Sequence, residues 1–254
     1  MGFKREKISD SKGNLVDIEP LSIYIVRHAQ PQWSVDGIGI DEPHLTALGY
    51  RQAEALGQAL CHLPVTDFYV SNLLRARETA APLARLLGRE PEIIPWFQEI
   101  QAKPLDGLPQ EEVDAYITNW YKVSLSERFI GVTEGETMEH LHARLSAGLD
   151  DILQRAGFGF HADGRYRVWD WPNQPRCVVL VGHCFAGATA MQHLMNIDYT
   201  GASGEQLRQG WAAYTQLVPM PLGGGFVWRM KEFDQRGHLS SLGLACDDVP
   251  GYEV

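Results

Sequence analysis

Two short apolar runs constrain this chain more than any other feature. Leu21–Val26 (LSIYIV) and Cys177–Val181 (CVVLV) are too short to cross a membrane and rich in β-formers. Runs of this kind read as strands buried on both faces, the sort that lie in sheets covered by helices on either side. Each run stops beside a histidine, the first at Arg27-His28 and the second at Gly182-His183. In an open α/β sheet the crevice beyond the carboxyl ends of the strands is where ligands bind. A guanidinium delivered there is a permanently charged fork for phosphate or carboxylate. An imidazole next to it is kept partly neutral by that charge and can act as a nucleophile. The strand ends therefore point to an anion site with a nucleophile in it.

The intervening chain alternates in the way such a sheet requires. Pro31–Pro43 reads as a loop, and Thr46 as the N-cap of a helix running to about Cys61. Asp67–Val70 is a short second strand, followed by a helix from about Leu74 to Leu87 that Gly88 closes and in which Pro82 should kink the helix or break one hydrogen bond. Arg75 falls in the first turn of that helix, where free backbone N–H groups strengthen a phosphate site. Glu92–Pro95 is a candidate third strand that delivers Trp96-Phe97-Gln98-Glu99. Thr133 and Glu136 form a capping box opening a helix with Met138, Leu141, Leu145, Leu149 and Ile152 on one stripe. Arg144 lies beside that stripe, as either a surface charge or a rim contact. His140 and His142 are about 200° apart around this helix and cannot jointly grip a metal. Ala213–Val218 and Phe226–Phe233 read as two strands with a turn between them. The pattern predicts an α/β fold, a three-layer α/β/α sandwich on a mixed, mostly parallel sheet.

Residues 1–20 lack periodicity and read as an N-terminal tail, which leaves 21–254 as one domain. Two aromatic excursions, at about 103–132 and 157–175, are expected to form a lid over the site. A formal net charge of −10 argues against nucleic acid or an anionic membrane as the main partner, because both need a basic surface. Cys61, Cys177, Cys184 and Cys246 show no CxxC spacing, and no signal peptide or membrane-length apolar run is evident. These features predict reduced thiols and a cytoplasmic protein. A homodimer is compatible with the sequence, which carries no direct signal of oligomeric state.

The strand ends together offer Arg27, His28, Arg75, Glu99 and His183. The chain here resembles the histidine phosphatase superfamily, the phosphoglycerate-mutase-like fold. The resemblance rests on RHAQ at Arg27–Gln30, LTALGYRQA at Leu45–Ala53, SNLLRARETA at Ser71–Ala80 and VLVGHCFAG at Val179–Gly187. EGET at Glu134–Thr137 and WRMKEFDQRGHL at Trp228–Leu239 support it, all in the family's order.

The resemblance implies a phosphohistidine mechanism on a small phosphorylated substrate. His28 would attack phosphorus, while Arg27, Arg75 and His183 hold the phosphoryl oxygens and Glu99 protonates the departing alcohol. Ser34 stands where the family often places a phosphate-binding Asn. Neither metal nor other cofactor is implied, because fixed cations do the work of a metal. The chain departs from the family at Ala29, Pro31 and Cys184, which could reshape the pocket floor. The stretch after Glu99 carries one Lys and several acids, so hydrolysis is expected over mutase chemistry. A phosphoprotein phosphatase and a protein-binding pseudoenzyme are the other readings of the same fold.

Overall fold

The two apolar runs become neighbouring central strands of an eight-stranded sheet. The computed structural model describes residues 7–9, 15–17, 21–101, 103–130, 135–200 and 202–245. Near the start, β1 (Lys7–Ser9) and β2 (Leu15–Asp17) form a separate antiparallel pair within the expected tail. The first apolar run is β3 (Leu21–Arg27). The loop after it holds a small hairpin, β4 (Ser34–Val35) and β5 (Ile38–Gly39). Helix α1 (Ala47–Leu60), strand β6 (Asp67–Val70), helix α2 (Leu74–Leu87) and strand β7 (Glu92–Ile93) follow. A 3-10 turn over Pro95–Phe97 leads to α3 (Gln110–Lys122), α4 (Leu125–Ile130) and α5 (Met138–Arg155). Then come β8 (Phe160–Asp163), β9 (Tyr166–Trp169), β10 (Arg176–Gly182), α6 (Cys184–Met195) and α7 (Ser203–Gln206). The described chain closes with β11 (Tyr214–Leu222), β12 (Gly225–Gln235) and α8 (Gly237–Ser240).

The sheet order is β7-β6-β10-β3-β11-β12-β9-β8. The first four run parallel and the pairs from β3 to β8 are antiparallel, so six strands share a direction and only β11 and β9 oppose it. Alternation along the strands builds a core on each face. Leu21, Ile23 and Ile25 join Val178 and Leu180 against α5 and α6, whose Leu141, Leu145, Leu149, Met191 and Leu194 are buried. Tyr24 and Val26 join Phe68, Val70, Val179 and Val181 against α1 and α2. This is the expected three-layer sandwich.

Local chemistry sets the helix ends. The Thr46 hydroxyl accepts from the Gly49 N–H at the start of α1. Gly88 closes α2 with φ +62°, and the helix runs unbroken through Pro82.

Four expectations change. The third strand is only two residues long before the 3-10 turn begins. Thr137, not Thr133, caps the long helix, its hydroxyl accepting from the His140 N–H; Thr133 lies outside the described residues. Much of 103–132 is helical. The backbone before α3 is laced to the β4–β5 hairpin through Gly39 to Leu108, Gln110 to Gly37 and Leu105 to Asp41. The 157–175 excursion is an edge hairpin, because Trp169 of β9 pairs with Phe226 at the start of β12. Tyr214, at the other end of the β11–β12 ladder, pairs with Val26 beside His28. The hairpin therefore extends the sheet at the end remote from His28 instead of covering the site. Its Trp169 packs with Phe158, Phe226 and Trp228 in the core.

Helix α1 abuts the chain just past the nucleophile candidate. A Cβ on Gly49 would overlap the Gln30 carbonyl, a backbone atom that cannot swing away. Gly49→Ala is therefore expected to destabilise the fold by about 1–3 kcal/mol. Urea unfolding of this variant beside the wild type checks it; an unchanged midpoint would mean that α1 is free to shift.

Candidate active site

Three parallel strand ends are tied together by backbone hydrogen bonds. His28 N–H donates to the Gly182 carbonyl at 2.9 Å, and Ser71 N–H to the Val181 carbonyl at 2.9 Å. These bonds bring Arg27 and His28 from β3, Ser71 from β6 and His183 from β10 to one edge. Arg75 joins from the first turn of α2. All four predicted groups are buried, with Arg27 6%, His28 2%, Arg75 4% and His183 0% exposed, which places two permanent charges out of water. The His28 and His183 ring centroids lie 5.2 Å apart.

The histidine tautomers follow from their partners. His28 Nδ1 lies 2.8 Å from the Ala29 carbonyl, a group that only accepts, so Nδ1 carries the proton and Nε2 keeps its lone pair. Burial, then Arg75 and Arg27, holds the His28 imidazole well below its ordinary pKa, and it is neutral at pH 7. His183 Nε2 lies 2.8 Å from the Ser71 hydroxyl, while its Nδ1 is buried without a hydrogen-bond partner. With the hydroxyl donating to Nε2, Nδ1 carries a proton and is a buried donor for a ligand oxygen. Burial, Arg75, His28 and Arg27 lower the His183 pKa as well.

The arginines are held from behind. Arg27 donates from Nη1 to the Gln209 carbonyl at 2.5 Å, and the Gln209 side chain in turn donates to the Ile25 carbonyl. The Trp33 ring lies over the Arg75 guanidinium, 4.9 Å from the carbon to the centroid, and 6.4 Å from the His28 ring. Burial lowers the Arg75 pKa, opposed by Glu99 and Glu42. Thr79 bridges the two halves, its hydroxyl accepting from Ala29 N–H and donating to the Arg75 carbonyl.

Glu99 sits at the start of α6. Its carboxylate accepts from the N–H groups of Phe185 and Ala186 at 3.1 Å and of Ile100 at 3.0 Å. His183, the N-cap residue, makes no side-chain cap, so Glu99 supplies it. Ser34 is half-buried in β4, and its hydroxyl bonds to none of these groups; from that loop Trp33 makes the contact. Two of the N–H groups at the start of α2 are also taken, Leu74 by Glu42 and Leu73 by Ser71. Arg144 lies at the rim in contact with Glu136, Trp96, Gln98 and Glu99. Among the described residues no group of three metal-ligating side chains converges, and no helix is long and apolar enough to cross a membrane. Among the described residues Cys61, Cys177 and Cys184 are reduced cysteines, and Cys246 lies outside the described residues.

Sequence reading missed Ser71, Thr79, Trp33 and Gln209. Ser71 and Thr79 lie within the quoted SNLLRARETA stretch, so a hydroxyl one helical turn past Arg75 was a usable signal. Gln209 carried none, because it acts mainly through its backbone carbonyl.

Residues 23–162, more than half of the chain, match the histidine phosphatase superfamily (branch 1). The chain belongs to that superfamily. It is 29% identical over 137 residues to a probable phosphoglycerate mutase GpmB of Yersinia enterocolitica, covering 53% of this chain and 64% of that protein. The chain thus spans under two thirds of the length of the curated relatives it matches. The fold is that of a mycobacterial glucosyl-3-phosphoglycerate phosphatase, with TM-score 0.65, 22% identity and coverage of 85% of this chain and 99% of that one. A phosphoserine phosphatase mutant of Entamoeba histolytica, solved with phosphoserine, superposes with TM-score 0.61 and 19% identity, covering 86% and 99% of the two chains.

The buried histidines set a pH dependence for stability. Their folded pKa values are depressed below 6.5, so below that pH the unfolded chain binds more protons than the folded one. Stability is expected to be full above about pH 6.5 and to fall as pH drops, each histidine contributing up to about 1.4 kcal/mol per pH unit. Urea unfolding of wild type and the His28→Gln, His183→Gln double variant across pH 5 to 8 checks this. An equally steep acid limb in the variant would rule these two groups out as its cause.

Proposed function

We propose that the protein is a phosphomonoester hydrolase that works through a phosphohistidine at His28 and acts on a small phosphorylated metabolite. The observation that carries this reading is the fixed tautomer of a neutral, buried His28 beside two buried guanidiniums. In the first step His28 Nε2 bonds to phosphorus as the ester P–O bond breaks, and Glu99 gives its proton to the departing oxygen. In the second step water attacks phosphorus, its proton passes to Glu99, and the N–P bond breaks to release inorganic phosphate and neutral His28. Arg27, Arg75 and the His183 Nδ1–H match the charge on the phosphoryl oxygens. Those fixed donors support a reaction with no metal or other cofactor.

The phosphatases among the structural relatives support a small-molecule substrate. The segment containing α3 and α4 serves as the lid that selects it, a reading supported by the hydrogen bonds between the chain leading into α3 and the loop that carries Trp33. The resemblance to a probable phosphoglycerate mutase carries a second reading, phosphoryl transfer between positions of one metabolite.

Hydrolysis of p-nitrophenyl phosphate in EDTA tests the proposal. Activity is expected to persist with EDTA and to vanish in His28→Ala. Arg75→Ala is expected to lower turnover about 10²- to 10³-fold, the usual cost of one electrostatic donor. Interconversion of phosphoglycerate isomers without net phosphate release would favour the mutase reading, and activity surviving in His28→Ala would end the phosphohistidine reading.

A further inference from the structure

Arg144 uses all its donors on the Trp96–Glu99 segment and on Glu136. Its guanidinium makes five hydrogen bonds: Nη1 to the carbonyls of Trp96 at 2.6 Å and Gln98 at 3.0 Å, Nη2 to the Glu99 carbonyl at 3.0 Å and Glu136 Oε2 at 2.7 Å, and Nε to Glu136 Oε1 at 2.6 Å. An Arg has five N–H donors, so none is left for substrate. Glu136 closes the clamp from the other side, donating its N–H to the Gln101 carbonyl at 2.6 Å and accepting from Gln101 N–H at 3.2 Å. One helical turn along α5, Gly148 leaves room for the Trp96 ring, which a Cβ would overlap. Phe97 is wedged against Gly182 just before His183. The turn that carries Glu99 is thus fixed to α5 by its carbonyls and to β10 by a ring. The Glu99 carboxylate is then fixed to α6 by backbone N–H groups.

Three of the five acceptors are carbonyls of residues 96, 98 and 99, an arrangement that fixes where the Glu99 side chain emerges. We propose that Arg144, clamped by Glu136, is a positioning residue that sets Glu99 at the distance from the His28 pocket needed to protonate the leaving oxygen. This rests on the reading of Glu99 as the leaving-group acid. Lys in place of Arg keeps the charge but cannot span three carbonyls and a carboxylate with a rigid fork.

A role through Glu99 has a signature that general loosening lacks. Alkyl phosphates need a proton on the leaving oxygen, whereas p-nitrophenolate leaves without one. Arg144→Lys and Glu136→Gln are therefore expected to lose roughly 10- to 100-fold on glycerol phosphate in kcat/KM, which reports the steps through departure of the alcohol and not the later attack of water, with kcat/KM on p-nitrophenyl phosphate changed less than about threefold. In a Glu99→Gln background, Arg144→Lys is expected to add nothing to the selective loss. Amide hydrogen exchange at Phe185 and Ala186 supplies a readout independent of turnover, and faster exchange is expected once the carboxylate is no longer held. Equal losses on both phosphates, or unchanged exchange at those two amides in Arg144→Lys, would overturn the proposal. If the wild type hydrolyses neither phosphate, the hydrolase reading fails, while the exchange experiment still decides whether Arg144 places Glu99.

Discussion

Burial of positive charge at the end of β3 and the start of α2 is the constraint on which the rest of the structure depends. Two guanidiniums lie out of water beside two imidazoles, and the fold meets that cost unevenly. The imidazoles shed their protons and become neutral, so the site keeps the two charges that cannot be titrated away. Arg27 is met by the Gln209 carbonyl, and Arg75 by the Trp33 face and the nearby carboxylates of Glu42 and Glu99. A neutral His28 next to permanent cations is a better nucleophile than a protonated one, and the same desolvation that costs stability gives the proposed mechanism its reagent. On a chain of net charge −10 this pocket is a local reversal of field.

Glu99 shows how one side chain can serve the fold and, in the proposed mechanism, the chemistry together. Helix α6 begins at His183, whose ring is turned to Ser71 and cannot cap the helix. The orphan N–H groups of Phe185 and Ala186 are satisfied by Glu99 instead. The carboxylate is therefore held next to the second histidine by a requirement of the fold, before any substrate arrives. This placement gives Arg144 its importance, since a cap supplied from another segment works only if that segment is itself anchored.

Much of the architecture was legible because it depends on local pattern. The runs at Leu21–Val26 and Cys177–Val181 announce doubly buried strands, and Thr46 and Gly88 mark helix ends through chemistry carried by single residues. Arg27, His28, Arg75, Glu99 and His183 were legible as a set because each sits at a strand end, in a helix's first turn or just after a 3-10 turn. Features that depend on distant pairing were not. α3 buries only Val113, so its sequence shows no stripe to reveal a helix. The aromatics of 157–175 resembled a lid because their partners, Phe226 and Trp228, lie more than fifty residues further along. Arg144 looked like an ordinary helix charge because most of its acceptors are main-chain carbonyls, which look alike in every sequence.

The helix starts give the last step. Sequence reasoning assigns the N-terminus of α2 to phosphate, since free N–H groups and the helix dipole favour an anion there. In the fold two of those groups are occupied, Glu42 taking the Leu74 N–H and Ser71 that of Leu73, and Glu99 takes two more at α6. A phosphoryl group entering this site meets guanidinium and imidazole donors more than backbone ones. The guanidiniums carry full charge where backbone amides carry partial charge, so they respond most strongly to an oxygen that gains negative charge as the ester bond breaks. In the proposed reaction, carboxylates on the helix starts thus leave recognition mainly to the groups whose hold tightens along the reaction, where binding energy lowers the barrier without deepening the ground state.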